Sequence, residues 1–403
     1  MNDLLKNSIK HHWQLVLITL LIISLFISRA GLSILSIIII LPVFFNQKKN
    51  IHEVKKIVIG FLLIILPLLL SFFWSHNKQL WAIAFTNKIP LLTIPTALIS
   101  FNLKNNTLKR IIAILALTVT TACIWSLLYF FNNSIAITNS YLVAKVMPTP
   151  LDDDHIRFSW LIVVTIILLI QQLLLQSSKY EKIIGSFLVV FLIGFLHFLA
   201  AKTGLVCLYA SIAIFIFYNI FLHKNKKWGF GLLLLIIGFS SIAYYSFTTL
   251  RNRIQYVVWD FKQYTAGKFL NGSADGDRIL SFKAAIDIAN THPFIGVGFG
   301  DLKSEINNWH QQHHPQSEEY ERFNPTNEWL TYAAASGWVG MIIFSIGMYF
   351  ICSFLISKNI FAICLLTTTL LPIITDDSLE GQFGVAIFSL AISLGYSLLK
   401  KLN

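Results

Sequence analysis

Residues 158–176 read FSWLIVVTIILLIQQLLLQ, a run of nineteen residues without a charged side chain. A helix of this length is about 28 Å long, close to the thickness of the hydrocarbon core of a bilayer. The run therefore predicts a membrane-spanning helix. Similar apolar runs occur along the rest of the chain, at 13–28, 30–45, 57–74, 80–101, 110–131, 183–200, 203–222, 228–247, 330–356, 359–375 and 382–399.

The composition agrees with a membrane protein. Of the 403 residues, 56% are hydrophobic and only 12% are charged, whereas a soluble domain has about twice that charged fraction. The apolar runs are continuous rather than alternating, so the spans are expected to be helices and not barrel strands. We therefore expect an all-α polytopic membrane protein with about twelve transmembrane helices. Residues 1–250 would hold nine of them, 251–329 a long loop with short helices, and 330–403 the last three.

Lysine and arginine are unevenly divided between the two sides of this layout. Outside the long loop, seventeen fall on one side and six on the other. The positive-inside rule then predicts that both termini are cytoplasmic and that the long loop is extracytoplasmic. The basic segments before and after residues 13–45 can lie on the same side only if these residues cross the membrane twice. We therefore expect a retained hairpin that turns at Arg29, and not a removed signal peptide. The concentration of lysine and arginine in cytoplasmic segments also explains the net charge of +12. No nucleic-acid partner is therefore expected.

Three basic residues at the spans are candidates for function. Lys88 lies in the run 80–101 with two prolines, and such a lysine usually faces a protein interior or a wet cavity. The alternative is that its ammonium group extends to the outer interface. Arg157, at the start of the run 158–176, either binds a phosphate or only anchors the helix. Lys202, in a tight turn, is either a binding residue or an ordinary interfacial lysine.

The first part of the long loop mixes basic and aromatic residues. That mixture suits an amphipathic segment on the membrane surface, or a wall of a lipid or sugar cleft. The residues are Arg251, Arg253, Tyr256, Trp259, Phe261, Tyr264 and Phe269.

Residues 278–290 follow with helical spacing, after Asp277 as a good N-cap. Arg278 would lie in the first turn of this helix, where the helix dipole disfavours a cation. A role in binding an anion such as phosphate explains this placement. The alternative is a surface arginine paired with Asp275 or Asp287.

The remaining polar clusters do not predict a metal or a cofactor. The glycines of 296–300 follow no strand, so they predict a close-packed turn rather than a dinucleotide site. The aspartates at 152–154 lack ligand spacing and are expected to form a solvated acidic turn. His310, His313 and His314 belong to a segment without a regular scaffold, so a metal site there is the weaker interpretation. All four cysteines lie in apolar runs, so neither disulfides nor zinc is expected.

The order of several motifs resembles the O-antigen ligase and polymerase superfamily. The similar motifs run from Asp277-Arg278 through Pro293-x-x-Gly296-x-Gly298 to Asn327-x-x-Leu330 and Gly337-x-x-Gly340. Further elements look like those of a bacterial subgroup: His155-Ile156-Arg157-Phe158-Ser159, Lys202-Thr203-Gly204 and Leu379-Glu380-Gly381-Gln382-x-Gly384.

Members of this superfamily transfer glycans from a polyprenyl-diphosphate carrier. The resemblance implies an inverting, metal-independent glycosyltransferase without a cofactor, in the bacterial cytoplasmic membrane with its long loop in the periplasm. The implied donor is a glycan on undecaprenyl diphosphate, and the implied acceptor is another glycan or a lipid A core. We expect catalytic roles for Arg278, Lys202 and Glu328, and substrate-binding roles for Arg157, His155, Lys88, Asn327, Thr326 and Glu380.

The sequence departs from the family pattern at two positions. Lys202 stands where the family usually has an arginine, and a lysine keeps the charge but loses bidentate geometry. Thr326 stands where the family usually has a histidine, just before the asparagine. The general base is therefore open among Glu328, Glu380 and the loop histidines 313 and 314.

The sequence also leaves the function open in two respects. Ligase and polymerase differ mainly in the acceptor, with a slight preference here for a polymerase or a ligase-like transferase. A transporter or flippase of a lipid-linked or anionic solute, using Lys88 and Arg157 in a central cavity, is the alternative from another class. A further alternative is a degenerate member that binds without catalysis, which Thr326 would favour.

Overall fold

The computed structural model describes residues 2–44, 51–143, 145–150, 154–175, 177–222, 226–266, 274–319, 322–355 and 359–401. Throughout these ranges the regular secondary structure is helical. The α-helices are α1 (Asn2–Ile27), α2 (Arg29–Ile38), α3 (Leu41–Phe44), α4 (Ile51–Ser71), α5 (Lys78–Phe101), α6 (Asn105–Asn132), α7 (Ser134–Ser140), α8 (His155–Leu175), α9 (Lys179–Leu199), α10 (Lys202–Phe217), α11 (Lys226–Ser246), α12 (Thr248–Thr265), α13 (Ala274–Thr291), α14 (Leu302–His313), α15 (Glu328–Leu355), α16 (Ile360–Thr375) and α17 (Gln382–Leu399).

Eight helices in the described ranges are long and apolar enough to cross a membrane. They are α5, α6, α8, α9, α10 with its π-helical extension to Leu222, α11, α15 and α17. Shorter apolar helices lie at Trp13–Ile27, Arg29–Val43 and Ile360–Thr375. An all-helical protein with several candidate spans is therefore confirmed. The count of twelve and the orientation of the loops stay predictions.

Helix α17 lies at the centre of the packing. Nearly every residue from Gln382 to Leu399 is buried, because the helix is apolar on all sides and α5, α8, α15 and α16 surround it. Ser393 and Ser397 bond to the backbone of their own helix, as when Ser393 Oγ donates to the Ser389 carbonyl at 2.6 Å. The turn immediately before α17 is therefore held on the most enclosed helix of the protein.

The glycine-rich turn at 296–300 packs against a break in α15. The backbone of α15 is non-helical at Ser336 and Gly337, and Val297 N and Gly298 N donate to the carbonyls of Ala334 and Ala335 at 3.1 and 2.8 Å. Gly296 has a φ of +64°, and a Cβ there would lie 2.4 Å from the Ala335 carbonyl carbon. The predicted close-packed turn is confirmed, and glycine is required because backbone meets backbone.

The long loop contains the helices α12, α13 and α14. On α12, Val258 and Trp259 are exposed while Leu250 and Tyr256 are buried, which agrees with an amphipathic segment. Contact with a membrane surface stays a prediction. Phe269 lies outside the described residues.

Helix α13 begins earlier than the sequence predicts. It starts at Ala274, so Asp275 and Asp277 occupy the first turn and Arg278 lies in the second. The expected N-cap at Asp277, with Arg278 in the first turn, is therefore wrong. The cause is tertiary: the Asp260 carboxylate on α12 accepts a hydrogen bond from Asp275 N at 3.2 Å and so satisfies a free N–H at the helix start.

The histidine-rich segment is also more regular than expected. His310 and His313 lie in the last turn of α14, and His314 caps that helix. The expectation of a segment without a scaffold is wrong, because α14 packs against α13 and is stabilised there. Within the described residues, no group of three His, Cys, Asp or Glu side chains could hold a metal ion.

Candidate functional site

Charged side chains from four helices meet at the turn between α16 and α17. This turn, residues 376–381 with the sequence Asp-Asp-Ser-Leu-Glu-Gly, is named the acidic turn below. It receives Lys88 from α5, Arg157 from α8, Arg278 from α13 and Glu328 from α15. These residues are distant in sequence, so the cluster exists only in the folded chain.

Arg157 makes the largest number of contacts with the acidic turn. Its Nη2 donates to the carbonyl and to Oδ1 of Asp377 at 2.8 and 3.2 Å, and its Nε donates to the Ser378 carbonyl at 3.3 Å. Its Nη1 pairs with Asp154 Oδ2 at 2.8 Å. Glycine is required nearby, since a Cβ at Gly384 would lie 2.9 Å from the Arg157 Nε.

The pairing of Asp154 corrects one sequence-based expectation. Asp154 was expected in a solvated acidic turn, yet its side chain is only 15% exposed. The reason is that Arg157, three residues later, lies on the same side of the first turn of α8. Residues 152 and 153 lie outside the described residues.

Lys88 is fully buried beneath the acidic turn. Its Nζ lies 2.5 Å from Glu380 Oε1 and donates to the Leu379 carbonyl at 3.1 Å. The rings of Tyr332 and Phe299 lie 5.6 and 5.7 Å away. The expectation that Lys88 faces the protein interior is confirmed, and the alternative of an interfacial lysine is wrong.

Arg278 contacts the end of α16 and the first residue of the acidic turn. Its Nη1 donates to the Thr375 carbonyl at 2.7 Å, and its Nη2 lies 3.8 Å from Asp376 Oδ1. Both alternative partners are engaged elsewhere. Asp275 pairs with Lys202 at 2.9 Å, and Asp287 accepts a hydrogen bond from Trp309 Nε1 at 2.8 Å. A surface arginine paired with its own helix is therefore the wrong interpretation.

Lys202 begins α10 and lies beside the N-terminus of α13 rather than at the acidic turn. Its Nζ contacts both carboxylate oxygens of Asp275, at 3.0 and 2.9 Å. Because Asp275 is three residues before Arg278, Lys202 and Arg278 flank the same helix start.

Glu328 bonds to the acidic turn, and Asn327 bonds to the end of α16 just before it. Glu328 is fully buried, and its Oε1 accepts a hydrogen bond from Leu379 N. Its Oε2 is buried without a hydrogen-bond partner among the described residues. Asn327 caps α15 by accepting from Leu330 N at 3.1 Å, and it donates to the Ile374 carbonyl at 2.8 Å.

The other expected site residues lie at or beyond the edge of the cluster. Thr326 N donates to Ser281 Oγ at 3.2 Å, which joins it to α13. His155 is the first residue of α8, two residues before Arg157. The ring of His313 stacks on Trp309 at 4.6 Å, and Trp309 bonds to Asp287, about 13 Å along α13 from Arg278. The loop histidines are thus not brought to the acidic turn.

The sequence reasoning missed several members of the cluster. Burial and the neighbouring Asp377 raise the pKa of Asp376 to about 7, against the opposing charges of Arg157 and Arg278. Burial also raises the pKa of Asp377, and Arg157 opposes this shift. The sequence signal for this turn is a pair of adjacent aspartates at the end of an apolar run, which by itself does not predict a site.

These features define a polytopic helical membrane protein with a partly buried cluster of paired charges at one end of its helices. Residues 187–345 match the model of a family described as O-antigen ligase. Over these residues the resemblance to the O-antigen ligase superfamily is confirmed. The family indicates a membrane protein of the O-antigen ligase and polymerase type that transfers glycosyl groups. No curated protein matches the chain.

The matched range includes only part of the cluster. Arg278 and Glu328 lie within residues 187–345, as does Lys202 beside the start of α13. Lys88, Arg157 and the acidic turn lie outside it. The charge cluster therefore joins the matched domain to helices on either side of it.

Proposed function

We propose that this protein transfers a glycan from undecaprenyl diphosphate to a hydroxyl group of an acceptor, at the outer face of the bacterial cytoplasmic membrane. The observation that supports this most is the convergence of Arg157, Arg278 and Lys88 on the acidic turn. The two arginines offer forked donors that match phosphate oxygens. Lys202, beside the start of α13, adds a further cation.

The cations of the free protein are paired with carboxylates rather than left open. Arg157 pairs with Asp154 and Asp377, Arg278 lies near Asp376, and Lys202 pairs with Asp275. We propose that the donor diphosphate replaces some of these carboxylates. Arg278, at 30% side-chain exposure, and Lys202, at 33%, are the most accessible members for this exchange.

The exchange prepares the protein for the reaction. A carboxylate that loses its cation has a greater affinity for a proton. We propose Asp377 as the general base. Its cation is Arg157, so it gains this affinity when Arg157 also turns to the diphosphate, and its side chain is 28% exposed whereas that of Asp376 is 6% exposed. The acceptor oxygen attacks the anomeric carbon and its proton passes to Asp377. The bond from that carbon to the diphosphate oxygen breaks, and undecaprenyl diphosphate leaves with the electron pair.

In this proposal the chain's own cations stabilise the charge that develops on the leaving diphosphate. An in-line attack gives inversion at the anomeric carbon, and no metal is required for the charge balance. Lys88, Glu328 and Asn327 act as positioning residues that hold the acidic turn. Glu328 has this role because it is fully buried, and Thr326 positions α13 through Ser281. His155 contacts the donor beside Arg157.

The test is glycan transfer by the purified protein from a lipid-linked oligosaccharide, with a chelator present. Arg278→Ala and Lys202→Ala are expected to reduce kcat/KM by about 100-fold or more, and Arg278→Lys to recover only part of the loss. Lys283→Ala is the matched control: it removes an exposed cation from the same helix, about 140° around its axis from Arg278. If Arg278→Ala and Lys202→Ala transfer glycan as the control does, the diphosphate proposal is wrong.

A second variant tests the base. Asp377→Asn is expected to reduce kcat by about 100-fold with little change in KM. Because a general base acts in its deprotonated form, kcat of the wild type is expected to rise with pH, and the variant is expected to lose this rise. Full activity of this variant would refute the base assignment without affecting the diphosphate site.

Offering a lipid A core or a second lipid-linked glycan as acceptor distinguishes ligase from polymerase. Absence of transfer by the wild type with either acceptor would favour a member that binds without catalysis.

A further inference from the structure

Two adjoining grooves lie at the other end of α8 from the acidic turn. The larger, of about 400 Å³, lies between α6, α8 and α9, and the smaller, of about 240 Å³, lies between α6, α8 and α17. Both are lined by Asn106, Lys109 and Gln172. Leu173 on the wall of the larger groove is about 24 Å along α8 from Arg157. These two grooves together are called the basic groove, and they take no part in the proposed transfer.

One end of the basic groove is positively charged. Lys109, Arg110 and Lys401 line it, and Lys179 and Lys182 lie on the adjoining surface around Ser177. Among the described residues that line these surfaces, the one carboxylate is that of Glu181, which pairs with Lys109 at 2.6 Å and also caps α9. Arg110 and Lys401 are exposed, and among the described residues no ion pair engages either of them.

The rest of the basic groove is apolar. From Lys109 it extends about 12 Å along α6 to Leu117. Its walls include Ala113, Leu117, Leu169, Leu173, Ile184 and Leu188. Behind them α9 approaches α8 closely, since a Cβ at Gly185 would lie 2.6 Å from Leu173 Cδ2. The groove thus has a closed floor, one charged end and an apolar length between helices that cross the membrane.

We infer that the basic groove binds an anionic glycerophospholipid of the membrane. The phosphate of the headgroup would lie between Arg110, Lys109 and Lys401, and an acyl chain would lie along the apolar walls. A free anion would not use the apolar part, and a zwitterionic lipid would gain less from the excess of cations. Basic sites between transmembrane helices select anionic headgroups in this way.

The test uses the full-length protein purified in a mild detergent. Dioleoyl-phosphatidylglycerol and dioleoyl-phosphatidylcholine are titrated separately, and bound lipid is counted by native mass spectrometry beside the shift in Tm. Arg110→Gln/Lys401→Gln is expected to weaken binding of phosphatidylglycerol about 30-fold, from the contribution of each surface cation. Ala113→Trp, which fills the apolar part without a change of charge, is expected to reduce binding as well.

The matched control is Lys226→Gln/Lys227→Gln at the start of α11. These exposed lysines lie on the same side of the helices as the basic groove but do not line it, and the loss of charge is equal. The control is expected to bind phosphatidylglycerol as the wild type does. The inference is refuted if phosphatidylcholine binds equally well, if the control loses as much affinity, or if glycerol phosphate without acyl chains stabilises the protein equally. None of these readouts depends on glycan transfer.

Discussion

Replacement of Lys88 by methionine should destabilise the protein strongly, because the ion pair that it breaks is buried. The Lys88 side chain is 0% exposed and that of Glu380 is 17% exposed. The substitution leaves a carboxylate without its cation and the Leu379 carbonyl without a donor. Removing one partner of a buried pair costs about 3–5 kcal/mol. We expect a loss of about 3 kcal/mol in the free energy of unfolding, since the exposed part of Glu380 can still reach water.

A double-mutant cycle tests the origin of this loss. Glu380→Gln should cost at least as much as Lys88→Met, because it leaves a fully enclosed ammonium group. The double variant should recover part of the loss, with a coupling free energy of about 2 kcal/mol. The measurement is equilibrium unfolding of the purified protein in detergent, followed by tryptophan fluorescence.

The control is Lys104→Met, which replaces an exposed lysine outside the cluster. It should change the free energy of unfolding by less than about 0.5 kcal/mol. The reasoning would be refuted if the effects of Lys88→Met and Glu380→Gln simply added. It would also be refuted if Lys88→Met unfolded as the control does.

Three further predictions concern the long loop and its supports. Burial lowers the pKa of His310 to about 4, below the value of about 6.5 in an unfolded chain. The unfolded state then binds more protons, so stability should fall as the pH falls from about 6.5 to 4. His310→Asn should reduce this slope of Tm against pH, and an unchanged slope would contradict the assignment. The Asp301 carboxylate accepts from His76 N at 2.6 Å and Asn77 N at 2.9 Å, so Asp301→Ala should cost about 1–2 kcal/mol. Asp301→Asn, which keeps one acceptor, should cost less, and equal losses in thermal unfolding would count against the role of these two hydrogen bonds. Gly296→Ala should lower Tm markedly because its Cβ would overlap the backbone of α15, whereas Gly238→Ala, where a Cβ meets nothing within 4 Å, should leave Tm unchanged or higher.

The sequence identified several members of the site but few of their partners. Lys88 could be predicted to face the interior, because a charged group in an apolar run is too costly to leave in lipid. Arg278 was singled out by its apparent conflict with the helix dipole. The conflict disappears in the structure because Asp260 on α12 moves the helix start to Ala274. The candidate was therefore chosen for a reason that the structure does not support, although the residue does reach the acidic turn.

Asp376 and Asp377 were missed for a different reason. Two carboxylates at the end of an apolar run are unremarkable by themselves. They become part of a site only because α5, α8 and α13 all approach the turn that contains them. Asp154 was wrongly predicted to be solvated for a similar reason. Arg157 was considered as a ligand for phosphate and not as an ion-pair partner of Asp154.

The sequence by itself determined the helical membrane class, the approximate positions of the apolar helices and the resemblance to the O-antigen ligase superfamily. This is possible because the length of an apolar run is matched to the bilayer, and because the order of motifs is a property of the linear chain. Only the tertiary structure decided which charges meet. Lys88 and Glu380 are separated by 292 residues and Arg157 and Asp377 by 220, and contact over such distances depends on how the helices pack.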